Sequence, residues 1–112
     1  MTPSEIKLLQ LAARGADFIS VEPDPEKPIE GLMMVNWTIW NPLTSDKDAL
    51  ELAMLLVKDK KIRIQIQDQR IDIFEHWDGV WVPHSWTLIG KDLNECFREA
   101  IVNVAAEIGK RA

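Results

Sequence analysis

Apolar positions along the chain change period several times, and each change marks an element. Ile6, Leu9 and Ala13 recur at helical spacing, with Leu8 and Ala12 widening the face. Thr2-Pro3-Ser4-Glu5 stands ahead of them as a capping box with proline at the first helical position, and Gly15 reads as the helix stop. Phe18 to Val21 is a short candidate strand, and the apolar tract Gly31 to Trp40 reads as a buried extended segment. Thr44 or Ser45 is placed to cap a second helix, and Asp46 and Asp48 suit its N-terminal dipole. From Ala49 to Val57 that helix is apolar on most sides, so it is expected to be largely buried.

Beyond it the period falls to two. Ile62, Ile64 and Ile66 alternate with polar residues, Asp68-Gln69-Arg70 makes a turn, and Ile71 and Ile73 resume the alternation. Asp78-Gly79 is a hairpin signal. Val80 to Val82 gives a third strand stopped by Pro83, and Ser85 to Ile89 a short fourth piece. Helical spacing returns with Leu93, Phe97, Ile101, Val104, Ala105 and Ile108 behind an Asp92 cap, and Gly109, Lys110 and Arg111 suit its end. The expected class is α+β: a three- or four-stranded antiparallel meander packed with about three helices, as a helix–sheet–helix sandwich. At 112 residues the chain is expected to be a single domain, 1–112, with an acidic proline-rich loop at 22–30.

Composition narrows the setting. With 46% apolar and 28% charged residues, the chain carries enough apolar surface to offset the entropy of ordering. No apolar run reaches the roughly 20 residues that span a bilayer, so no membrane partner is expected. Cys96 is the single cysteine and forms no internal disulfide, which fits a cytoplasmic protein. A formal net charge of −5 disfavours nucleic acid as a partner.

Candidate chemistry is sparse. Glu75, His76, Asp78 and His84 gather near one hairpin, but Glu75 and His76 are adjacent in a strand and point to opposite faces, so no metal site is assigned. Cys96 adjoins the apolar stripe of the last helix and reads as a core residue. No phosphate-binding glycine loop or nucleophile elbow is present, and neither a catalytic residue nor a cofactor is assigned. Five tryptophans with no tyrosine stand out: Trp37, Trp40, Trp77, Trp81 and Trp86. All five read first as core or half-core, since tryptophan supplies large burial; the alternative is that one or two of them line a partner surface or groove, since tryptophan is enriched at binding hot spots. Trp77 and Trp81 flank the Asp78-Gly79 turn and are expected to share a sheet face. Stacking on bases would need nearby cations, and Glu75 and Asp78 have the wrong sign.

Two tracts carry a resemblance. Trp40-Asn41-Pro42-Leu43-Thr44-Ser45-Asp46-Lys47-Asp48-Ala49-Leu50, and Ala100 to Lys110 near the end, resemble small bacteriophage and prophage proteins, the NinX-like proteins and the phage α-β-α sandwich domains. The resemblance covers about residues 37 to 110. It implies a viral setting and a helix–sheet–helix domain, and it brings no activity with it. The expected function is that of a phage or prophage accessory protein that binds a host or phage protein. The alternatives are a small-molecule-binding domain or enzyme with a pocket between sheet and helices, near Trp37 and Trp81, and an acidic mimic of DNA, built on the acids at 22–30, that inhibits a host nuclease. A homodimer stays open.

Overall fold

The computed structural model describes residues 1–22, 29–88, 90 and 92–111. Among these residues the chain forms α1 (Pro3–Gly15), β1 (Leu32–Met33), β2 (Ile39–Trp40), α2 (Asp46–Asp59), β3 (Ile62–Gln67), β4 (Arg70–Trp77), β5 (Val80–Thr87) and α3 (Leu93–Arg111). β1 and β2 pair as a short antiparallel hairpin, and β3-β4-β5 form an antiparallel meander. The class is α+β, as the alternation of periods predicts. The acidic loop lies for the most part, at 23–28, outside the described residues.

Local chemistry sets the helix ends. Thr2 Oγ1 accepts from the Glu5 amide at 3.2 Å, and the Thr2 amide donates to Glu5 Oε1 at 3.0 Å, so the capping box is closed. Ser45, rather than Thr44, caps α2 by accepting from the Asp48 amide. Asp92 Oδ1 accepts from the Glu95 amide ahead of α3. The Trp40-Asn41-Pro42 tract has a structural explanation. Asn41 is buried, its amide donates to Asp48 Oδ2 at 2.9 Å, and its side chain bridges the Glu30 carbonyl and the Leu43 amide.

The core is built from Leu9, Leu32, Leu52, Leu56, Ile71, Ile73, Ile101, Val102 and Val104, with alanines between them. α2 touches both α3 and β3, and α3 touches β4 and β5, so the two helices cover one face of the meander. α1 packs chiefly on α3. Gly15 and Gly109 make that approach possible. A Cβ on Gly15 would fall 2.0 Å from the Ala105 carbonyl oxygen, and one on Gly109 1.9 Å from that of Leu11. Gly15 does end α1, but its chief role is this contact; Gly109 lies inside α3.

Three expectations change. α2 buries only Ala49, Leu52, Ala53 and Leu56, while Leu50, Met54 and Val57 face solvent, because nothing among the described residues packs on its outer side. The tract 31–40 folds back as a hairpin instead of running buried, and its tip is exposed. Pro83 does not stop β5. Leu88 donates its amide to the Gln69 carbonyl, so even-numbered amides of β5 face β4 and position 83 faces the free edge, where a missing N–H costs no ladder bond. Ser85–Thr87 therefore continues β5 rather than forming a fourth strand, and Ile89 lies outside the described residues.

Candidate functional site

The five tryptophans part into two kinds. Trp40 is 6% exposed and meets the ring of Phe18 edge-on at 5.5 Å, and Trp86 packs against the core beside His84. These two are structural. Trp37, Trp77 and Trp81 are exposed, and they stand in three different places.

Trp37 occupies the tip of the β1–β2 hairpin and is 75% exposed. Its amide closes a turn onto the Met34 carbonyl at 2.9 Å, and its φ is 63°. A left-handed conformation at a bulky non-glycine residue costs energy and persists only where neighbours enforce it. Here Asn36 Oδ1 accepts from both the amide and the hydroxyl of Thr38, and the Met34 amide donates to the Thr38 carbonyl, which fixes the loop on both sides. Val35, Ile39 and Ile19 are exposed around it. Ile19 is held there because its carbonyl accepts from the Val35 amide. An open groove of about 600 Å³ runs alongside, with an apolar floor of Phe18, Met34, Ile39 and Trp40 and with Lys47, Asp48 and Glu51 on its α2 side. Neither Trp37 nor Trp81 lines it, and it does not lie between the meander and the helices.

Trp77 and Trp81 do not share a face. The Asp78-Gly79 turn, with φ of 53° and 82°, pairs Trp77 with Val80 and His76 with Trp81. A two-residue turn always pairs an odd-numbered position with an even-numbered one, so two odd-numbered positions across it point oppositely. Trp77 lies on the helix-facing side at the sheet's end, where the Arg111 guanidinium stacks on its ring at 4.3 Å. Trp81 lies on the other side, under the Arg63 guanidinium at 4.5 Å and edge-on to the His76 ring at 5.1 Å.

Between α3 and the meander sits a buried polar cluster. Glu75 is 4% exposed; His84 Nε2 lies 3.2 Å from its Oε1, and Arg111 pairs with its other oxygen. One carboxylate held between a guanidinium and an imidazole clips the end of α3 to β4 and β5. Glu75 and His76 do take opposite faces, as strand geometry predicts. Among the described residues no three His, Cys, Asp or Glu groups gather in a way that could hold a metal ion. Cys96 is buried in the core.

Family models, curated proteins and solved structures give no match to this chain. The site therefore rests on its geometry. Sequence reasoning named all five tryptophans without separating the exposed Trp37, Trp77 and Trp81 from the buried Trp40 and half-buried Trp86, and it missed Ile19, Val35 and Ile39 as surface residues, because apolar stretches read as core until a hairpin tip is placed within them. It also missed the partners of Trp77 and Trp81, since Arg111 is far off in sequence and Arg63 reaches Trp81 only through the strand order.

Proposed function

We propose that the protein is a binding module that docks another protein through the hairpin tip around Trp37. The observation that carries this reading is a highly exposed tryptophan, held in a costly backbone conformation, among three more exposed apolar residues. Isolated apolar residues on a surface need no explanation, but a group of them around a tryptophan marks interaction sites. The preformed tip lowers the ordering cost of association. The phage resemblance supports a partner from the host cell or the phage, met in the bacterial cytoplasm, and no constellation in the described residues calls for catalysis. Among the described residues no helix is long and apolar enough to cross a membrane.

The test is parallel capture on immobilised wild-type and Trp37→Ala protein from bacterial lysate, with and without phage infection. The expected result is one stoichiometric partner held by the wild type and lost by the variant. Equal retention by both proteins, or an empty wild-type capture beside a working control, overturns the reading. The open groove favours a second reading, a small ligand on the Phe18–Met34–Trp40 floor, which a metabolite thermal-shift screen checks.

A further inference from the structure

The side of the meander turned away from α2 and α3 has nothing packed on it among the described residues, and its composition differs from that of the rest of the molecule. Strand register places Arg63, Arg70, Asp72, Phe74, His76 and Trp81 there, with neutral polar residues between them. Only Asp72 is acidic, and it is already neutralised: it is 4% exposed, accepting from Arg70 Nε at 2.9 Å and from Ser85 Oγ at 2.6 Å. With Arg70 engaged by Asp72, Arg63 remains at the surface, and Lys61 is exposed at the head of β3, its carbonyl accepting from the His76 amide. In a protein of net charge −5, the strands of this face thus carry two arginines against one carboxylate. Glu75, the carboxylate that weighs against base stacking when the sequence is read alone, points through to the helix side and meets Arg111 and His84. Asp68 and Asp78 stay in the turns beyond the strand ends.

The same face carries the aromatic groups. Trp81 is 40% exposed, with Arg63 over its ring and His76 against its edge, and Phe74 is half-buried in the next row. An exposed indole beside a guanidinium group on an open antiparallel sheet meets both demands of a single nucleic-acid strand: a π-face for an unpaired base and positive charge for the phosphates. Gln65, Gln67, Ser85 and Thr87 add neutral donors and acceptors that can meet base edges. A rigid duplex hides its bases and gains only the charge. We infer that this sheet face binds single-stranded nucleic acid, with Trp81 as the stacking platform and Arg63 and Lys61 as phosphate contacts. This surface is separate from the hairpin tip.

The experiment is fluorescence anisotropy at low salt with labelled oligothymidylate, oligouridylate and a duplex, with inorganic polyphosphate as a competitor that has charge but no bases. Wild-type protein should bind the single strands, weaken as salt rises, and prefer them to both duplex and polyphosphate; the stronger of the two single strands tells DNA from RNA. Trp81→Ala should lose about tenfold in affinity and Trp81→Phe should keep most of it, because a base stacks on either ring. Arg63→Ala should weaken binding and flatten the salt dependence. Trp37→Ala should bind the strands as the wild type does. Melting curves confirm that each variant is folded, and Arg63→Ala, an exposed strand position, serves if Trp81→Ala is not. No binding of the single strands at low salt overturns the inference, as do polyphosphate competing as well as an oligonucleotide and a folded Trp81→Ala that binds like the wild type.

Discussion

Two acidic residues of β4 show what alternation does to single side chains. Asp72 and Glu75 are both 4% exposed, but they lie on opposite faces and are satisfied by different neighbours. Removing a partner from a buried carboxylate leaves its charge uncompensated, at a cost of several kcal/mol when the pair is fully enclosed. Arg111 keeps 27% of its side chain in solvent and His84 remains beside Glu75, so the penalty is discounted. Arg111→Ala should therefore destabilise the protein by about 2 kcal/mol, read as a shifted urea midpoint. Glu5 gives a pH effect of known sign. The Thr2 amide, and then the Thr2 hydroxyl, hold its carboxyl below the ordinary value. A lowered folded value means that the contribution is present above the ordinary carboxylate range and fades as pH falls through the lowered value. Wild type and Glu5→Gln should thus melt further apart near neutrality than in acid, and a gap that widens in acid would contradict this. Thr2, Ser45 and Asp92 were legible as caps because each bond spans three residues. The Glu75–Arg111 pair was not, because nothing in the local pattern brings residue 111 to β4.

At the scale of elements, close approach and strain decide more than propensity. Gly15 and Gly109 read in sequence as helix stops, since glycine at a helix end has that common use. Their contact depends on the crossing of α1 and α3, which no local pattern encodes. Because backbone atoms oppose both missing Cβ positions, the neighbours cannot rotate away. Gly109→Ala should cost about 3 kcal/mol or more, at or beyond the upper range for overpacking, measured by denaturant unfolding. The hairpin should respond in the opposite sense. Trp37 sits at a φ of 63° and leaves most of its ring in water, so its side chain contributes little packing. Trp37→Gly relieves the left-handed strain, partly offset by glycine's greater freedom in the unfolded chain, and should stabilise the protein by about 0.5 kcal/mol. A docking tryptophan predicts a gain in stability together with loss of the captured partner. A variant that unfolds more readily would mean that the ring supports the hairpin rather than serving a partner.

For the whole molecule, the class and the strand order were legible because period and turn chemistry agree along most of the chain. The division of surfaces was not, since it depends on which side of α2 and of the meander meets α3. Leu50, Met54 and Val57 are as apolar as the buried Leu52 and Leu56, and only the assembled layers separate them. The result is two aromatic surfaces on different supports: Trp37 on the β1–β2 hairpin and Trp81 on the meander, which form separate sheets. Sites without shared partners act independently, so their stability effects add to within about 0.5 kcal/mol. The doubly substituted Trp37→Ala, Trp81→Ala protein should therefore change the unfolding free energy by the sum of the two single changes. Each single variant should lose its own kind of binding and keep the other. A coupling well above that margin, or one substitution weakening both kinds of binding, would mean that the hairpin and the open sheet face serve one continuous site, with the bound protein and the nucleic acid competing for it.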